Sequence, residues 1–249
     1  MLSIDLNCDL GEGFPDDERL IPLVSSVNVA CGGHAGDDAT MRNAVCLACR
    51  CGVNIGAHPG YEDRDGFGRF ERSWPVAEIS ASFARQLRRL TDITSAEGAT
   101  LGHVKPHGAL YHRASHNAEL AAALIESITS LCPLAAVVTP PRSELAVAAQ
   151  RAGLTAIGEG FADRRYLPDG SLAPRGTTGA VIKDESEAAV QAVRMIRDGL
   201  VHSVDGSAVR LRVQTLCVHG DGAHAVALLT FLRAYLANEG IEVRPFNTA

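Results

Sequence analysis

The 249-residue sequence predicts an α/β fold, best satisfied by a TIM-like (β/α)7 barrel. Seven short strand candidates, at 4–8, 26–30, 53–57, 101–105, 135–138, 156–160 and 215–218, are spread over the whole chain. Most are nearly continuous apolar runs, as expected of parallel strands covered on both faces. Helical periodicity fills the stretches between them. The alternation also allows an open doubly wound sheet, but about seven units of about 35 residues suit a closed barrel better.

The elements follow in order. After the first two strands, Asp37 stands as an N-cap, Met41, Ala44, Val45 and Ala48 share one helical face, and Gly52 is the stop. After the third, Ser73 is the expected N-cap of a helix whose face is Val76, Ile79, Phe83, Leu87 and Leu90, ended by Gly98. After the fourth, Asn117 precedes a helix with Leu120, Leu124, Ile125 and Ile128 on one side. Gly153 ends the helix before the sixth strand, and Gly240 ends a last long helix that opens at His219-Gly-Asp221-Gly-Ala-His224. No linker, low-complexity run or repeat divides the chain, so residues 1–249 are read as one domain.

Composition narrows the function classes. The chain is 46% hydrophobic and 21% charged, which supports a full core and argues against disorder. Its net charge is −6 with Lys and Arg scattered singly, a pattern unsuited to nucleic acid or an anionic membrane. No stretch approaches the ~18 apolar residues of a membrane span, and a strand begins at once, so a cytoplasmic protein is expected. Seven cysteines form no even framework, and reduced thiols are expected.

Four strand ends carry ionisable residues in alternation: Asp5-Leu-Asn7-Cys-Asp9, His103-Val-Lys105-Pro-His107, Glu159-Gly-Phe161-Ala-Asp163 and His219-Gly-Asp221. Side chains alternate across a strand, so each set projects from one side of a sheet. Unpaired buried charges are costly, whereas a pocket at the carboxyl ends of barrel strands uses them. Asp5 reads as a capping or turn residue, and Asn7, Asp9 and Glu12 as site residues. Lys105 falls in a strand this architecture buries, where lysine is usually paired and often functional; a solvated strand face is the plainer alternative for His103, Lys105 and His107. At His219 and Asp221, helix N–H groups suit a phosphate or carboxylate, or Asp221 is a simple cap.

Asp9, His34 and His58 make a candidate set for a divalent ion able to activate water, and the same imidazoles also serve as bases or substrate donors without metal. Cys46, Cys49 and Cys51 lack a second pair at zinc-finger spacing and read as buried structural cysteines. Cys8, Cys31 and Cys217 read as packing residues, with a nucleophilic Cys31 as the alternative. Two loops, 60–69 and 163–176, look too polar to pack and long enough to border a barrel mouth, and Arg64, Arg69 and Arg164 in them suit a planar anion. There is no Walker A pattern and no GxGxxG after a strand.

These residues make the chain resemble the LamB/YcsF family, the lactam-utilisation proteins described as the first of three 5-oxoprolinase subunits. The matching stretches are Asp5-Leu-Asn-Cys-Asp-Leu-Gly-Glu12, Asn28-Val-Ala-Cys-Gly-Gly-His-Ala-Gly-Asp37, Gly56-Ala-His-Pro-Gly-Tyr61 with Gly66-Phe-Gly-Arg69, His103-Val-Lys-Pro-His-Gly-Ala-Leu-Tyr111, Phe161-Ala-Asp-Arg164 and Cys217-Val-His-Gly-Asp-Gly222. They run in order over nearly the whole chain. Two features depart: Gly33 stands where the family usually has Phe, and the loop after Glu12 is shorter by several residues.

The resemblance implies a (β/α)7 barrel related to polysaccharide deacetylases, acting with two other subunits, B and C, to open 5-oxo-L-proline to L-glutamate at the expense of ATP, with Mg as its usual companion. For that chemistry we assign the roles from residue type: Lys105 neutralises developing charge, Asp9, His58 or His107 is the base, and Glu159 orients the partners. Arg64, Arg69 or Arg164 anchors the substrate carboxylate, with Asn7, Glu12, His34, His219 and Asp221 as further substrate contacts. Lys105→Met is expected to stop turnover and leave the protein folded. The alternatives are a metal-dependent amide or carbohydrate deacetylase and a non-catalytic subunit that binds a lactam or sugar, and a homo-oligomer remains open.

Overall fold

A computed structural model describes residues 1–174, 176–218 and 224–246. Its first half runs β1 (Leu2–Leu10), α1 (Asp17–Leu20) with a 3-10 turn (Ile21–Leu23), β2 (Ser26–Ala30), α2 (Asp38–Cys51), β3 (Asn54–His58), α3 (Val76–Ala96), β4 (His103–Val104), α4 (Gly108–His116) and α5 (Ala118–Leu131). The second half runs β5 (Ala136–Thr139), α6 (Glu144–Arg151), β6 (Ala156–Phe161), α7 (Glu185–Asp198), the antiparallel pair β7 (Leu200–His202) and β8 (Ala208–Arg210), β9 (Thr215–Cys217), α8 (Ala225–Asn238) and β10 (Ile241–Val243).

Strands β1 to β6 pair in sequence, all parallel, and β9 then joins β6 to β1, closing a seven-stranded barrel with Asn7 opposite Cys217. β10 extends the sheet beyond this closure by pairing with the start of β1. The expected barrel is therefore present, ringed by helices.

Helix boundaries follow local chemistry. Asp37 and Thr40 form a reciprocal capping box at the start of α2, and Gly52 ends it in the left-handed conformation at φ 65°. Asn117 caps α5 by accepting the Leu120 N–H. Ser73 does not cap α3, which begins only after Pro75, with no side-chain cap. The residue before a proline is held extended, so Trp74 cannot be helical and the start moves downstream. Sequence periodicity also misses α4, whose polar His112, Arg113 and His116 obscure a buried face of Leu110, Tyr111 and Ala114.

The barrel interior departs from the expected apolar runs. Leu6, Cys8 and Leu10 point outward into the helix-facing core, while alternation turns Asp5, Asn7 and Asp9 inward. Asp5 is a mid-strand residue and not a cap or turn: it is buried and accepts from the hydroxyls of Ser25 at 2.7 Å, Ser26 at 2.6 Å and Thr215 at 2.5 Å. One layer up, Asn7 donates to Thr215 at 2.7 Å and Glu159 at 3.1 Å, and Asn28 donates to Asn7 at 2.7 Å. The His103 ring crosses the barrel to bond Asn28 Oδ1 at 2.7 Å. Gly56 faces that ring, and any Cβ there would fall inside it. Buried polar groups are tolerable only when paired, and this axis pairs them strand to strand.

The cysteines are free. Cys46 is half-buried and Cys49 and Cys51 are exposed, contrary to their expected burial, because they lie toward the solvent side of α2 while Met41, Ala44, Val45 and Ala48 take the core side. Among the described residues no helix is long and apolar enough to cross a membrane.

Candidate functional site

At the carboxyl end of the barrel the polar axis opens into a cavity of about 650 Å³, bounded by Asp9, Glu12, His58, Lys105, His107 and Tyr111 below and by Arg69, Phe161, Arg164 and Leu172 around it. The strands place the floor. Asp9 belongs to the end of β1 and His58 ends β3, while Lys105 and His107 sit in the turn between β4 and α4.

Lys105 is 3% exposed. Its Nζ lies 2.8 Å from Glu159 Oε1 and 3.0 Å from Asp9 Oδ1, with Asn7 Oδ1 and Cys217 Sγ at 3.3 and 3.2 Å. Burial works against the ammonium, yet its pKa is held well above the ordinary lysine range by facing anions. Burial also keeps Cys217 a neutral thiol, with its pKa pushed well up, so Asp9 and Glu159 are the anions that hold the charge. Glu159 takes a further bond, 2.7 Å, from the buried Tyr111 hydroxyl. Lys105 therefore carries no free positive charge into the cavity.

Three imidazoles gather beside this pair. His34 and His107 stack with ring centroids 3.6 Å apart, and His58 meets both edge-on. His34 Nε2 lies 3.0 Å from Glu12 Oε1, and His58 Nε2 lies 3.3 Å from Asp9 Oδ2. Burial, joined by the neighbouring rings, lowers the pKa of His107 well below the usual range and that of His34 to about 2, so both are neutral. The expected Asp9, His34, His58 set is thus rearranged: one potential ligand atom from each of Glu12, His34, His58 and His107 lie within 4.8 Å of one another, with Asp9 at the edge. Spacing gives no hint of Glu12 and His107 as partners, because three βα units lie between them in the sequence.

The 60–69 loop makes this arrangement possible. It is not wholly solvated as its polarity suggested: Tyr61 and Asp63 are buried, and Gln86 of α3 clamps Gly60 by donating to its carbonyl at 2.7 Å and accepting its N–H at 3.1 Å. The same amide occupies the space that a side chain at Gly33 would need. Gly68, at φ 61°, has room for no Cβ, which would lie 2.9 Å from His34 Cβ. Phe67 itself adopts φ 52°, a region bulky residues avoid, and its carbonyl meets His107 Nε2 at 2.9 Å.

The arginines separate. Arg69 borders the cavity with its guanidinium 4.8 Å over the Phe67 ring. Arg164 borders it too and is buried, donating to Ala173 O at 2.7 Å, so the start of the 163–176 loop is packed, in contrast to its expected exposure. Arg64 points elsewhere: it donates to the carbonyls of Gly32 and Gly36 and borders a separate hollow with Gln86 and Arg89, which removes it from the anion-anchoring set. His219, Asp221 and Arg175 lie outside the described residues. Of the other expected site residues, Asp9, Glu12, His58, Lys105 and His107 border the cavity, Asn7 and Glu159 lie against Lys105 in the barrel interior, and His34 lies against Glu12.

The LamB/YcsF family model matches residues 4–249. Among solved structures, a lactam utilization protein from Thermus thermophilus is 40% identical, with a TM-score of 0.92, covering 98% of this chain and 100% of its own. A family 4 carbohydrate esterase from Streptomyces lividans, in complex with acetate, has a TM-score of 0.53 at 14% identity, covering 99% of this chain and 94% of its own. At that identity the likeness is one of fold.

Proposed function

Because this chain belongs to the LamB/YcsF family, we propose that it is the lactam-handling subunit of an ATP-driven 5-oxoprolinase, which opens 5-oxo-L-proline to L-glutamate together with two partner subunits. The observation that carries this reading is one cavity with buried carboxylates and imidazoles at its floor and Arg69 and Arg164 on its wall.

The chemistry fits that arrangement. A five-membered lactam is an amide of low reactivity; ATP, with Mg²⁺ as its companion, would supply a phosphoryl group to the carbonyl oxygen and leave as ADP, and water added to the activated carbon would expel phosphate as the ring C–N bond breaks and the nitrogen takes a proton. Water then needs a base, and the substrate carboxylate needs an anchor. Asp9, 3.3 Å from His58 Nε2, faces the cavity and takes the proton. Arg69 and Arg164 hold the carboxylate. Lys105, balanced between Asp9 and Glu159, is a positioning residue that fixes the Asp9 oxygen not turned to His58.

The His34, His58, His107 and Glu12 cluster favours a second reading, metal-assisted deacetylation of an amide or carbohydrate. The two are separated by mixing the purified chain with candidate partner subunits, Mg-ATP and 5-oxo-L-proline. Glutamate and ADP formed only by the full assembly support the first reading. Absence of both from an assembly that forms, with acetate released from N-acetylated sugars without ATP, replaces it by the second.

A further inference from the structure

The hydrogen bonds around His58 and His107 fix where their protons are. His58 Nδ1 lies 2.8 Å from the Lys105 carbonyl, and His107 Nε2 lies 2.9 Å from the Phe67 carbonyl. A carbonyl has no proton to give, so each of those nitrogens carries the hydrogen and the other nitrogen of a neutral ring carries a lone pair. Those other nitrogens, His58 Nε2 and His107 Nδ1, face one another at 2.9 Å. Two bare lone pairs at that distance repel, so an electrophile, a proton or a metal ion, belongs between or beside them. The surroundings add more electron density: Glu12 Oε1 is 3.5 Å from His107 Nδ1 and Asp9 Oδ2 is 3.3 Å from His58 Nε2.

We propose that Glu12, His34, His58 and His107 form a binding site for a divalent transition-metal ion of the zinc type. Four donor atoms within 4.8 Å of one another match tetrahedral ligation, in which bonds of about 2.0–2.1 Å set ligand atoms roughly 3.4 Å apart. Three imidazoles and one carboxylate select zinc, cobalt or nickel over magnesium or calcium, which prefer all-oxygen sites. The Lys105 and Phe67 carbonyls are the outer partners that aim ligating histidines. Phe67 holds its unfavourable φ of 52° in presenting that carbonyl, a strain that the fold sustains where it serves a site. His34 is the least constrained member, since its Nδ1 has no hydrogen-bond partner.

The ion would sit in the cavity wall, with Glu12, His58 and His107 all bordering the cavity. Its ligand class is therefore a carbonyl or phosphoryl oxygen of the bound substrate. This deepens the proposed function, because a lactam carbonyl is such a ligand, but it does not depend on turnover.

The test uses the full-length, tag-free chain stripped with chelator and titrated with Co²⁺, read by visible absorption, and with Zn²⁺, read by calorimetry. One ion per chain is expected, with a tetrahedral cobalt spectrum. Glu12→Gln and His58→Ala should each weaken binding at least tenfold, and His58→Ala/His107→Ala should abolish stoichiometric uptake, whereas His202→Ala, at an exposed position of β7, should not change it. Histidine ¹⁵N spectra of the wild-type chain provide a readout that needs no variant: one equivalent of Zn²⁺ should move the His58 Nε2 and His107 Nδ1 resonances. Uptake well below one equivalent, uptake indifferent to the double substitution, or ring resonances unmoved by zinc with a protonated His58 would overturn the proposal, the last showing that a shared proton fills the gap. An assembly without 5-oxoprolinase activity leaves the metal result standing, and failure to bind metal leaves the lactam reading standing.

Discussion

Lys105 reaches across the barrel to Glu159, ammonium to carboxylate at 2.8 Å, with both side chains almost wholly buried. Removing one member of such a pair leaves an uncompensated buried charge, which typically costs about 3–5 kcal/mol. Lys105→Met is therefore expected to lower stability by that order, and not merely to stop turnover in a folded protein. Urea denaturation checks this, and Lys105→Met/Glu159→Gln should recover a large part of the loss. A single mutant as stable as wild type would mean that the ammonium is not the partner of these carboxylates.

Asp5 gives a pH signature. Burial, opposed by its three hydroxyl partners, raises its pKa from 3.8 to about 6. Below the unfolded value the carboxyl is protonated in both states; between the two values only the unfolded chain ionises, so raising the pH weakens the fold, by up to about 3 kcal/mol in total. Above the folded value the penalty is constant. Asp5→Asn lacks this contribution, so its stability relative to wild type should improve between about pH 4 and about pH 7. Denaturation curves at both pH values measure the difference, and a constant gap would refute it.

Gly56→Ala should destabilise by about 1–3 kcal/mol through overpacking, because the added methyl collides with a His103 ring fixed by Asn28 on one side. Thermal melting is the check. An unchanged melting temperature would show that the ring has another place to go.

Arg69→Ala tests the anchoring role. An exposed cation at the cavity wall that holds the substrate carboxylate equally in ground and transition states should raise KM for 5-oxo-L-proline about tenfold and leave kcat within about twofold. Steady-state kinetics of the assembled enzyme decide it. A fall in kcat at constant KM would place Arg69 in the chemical step instead.

Much of the architecture is legible in the chain because parallel strands and their helices have strong local signatures. Composition locates β2 to the residue, and the helix faces at Met41 to Ala48 and Leu120 to Ile128 are the buried ones. The polar set at the strand ends is legible for the same reason: alternation alone says that Asn7 and Asp9 share a face. What the chain does not reveal is which of these residues touch. Glu12 meets His34 and His107 only because the barrel brings three loops together, and Arg64 turns away because two backbone carbonyls behind it are better partners than the cavity. The capping role expected of Asp5 fails for a related cause, since its hydroxyl partners Ser25, Ser26 and Thr215 lie far from it in sequence and reach it only in the closed barrel.

The closure of β9 against β1 sets a condition on synthesis. Asp5 depends on Thr215, some 210 positions later, and Lys105 needs Asp9 from the first strand and Glu159 from the sixth. A growing chain thus holds ionised groups whose counterparts have not yet been made: Lys105 waits for Glu159 on the sixth strand, and Asp5 waits for Thr215 on the closing one. Such long-range contacts slow the search for the native state. A partial barrel would enclose unmatched charge, which is costly, so closure of the ring by β9 is expected to come late in folding.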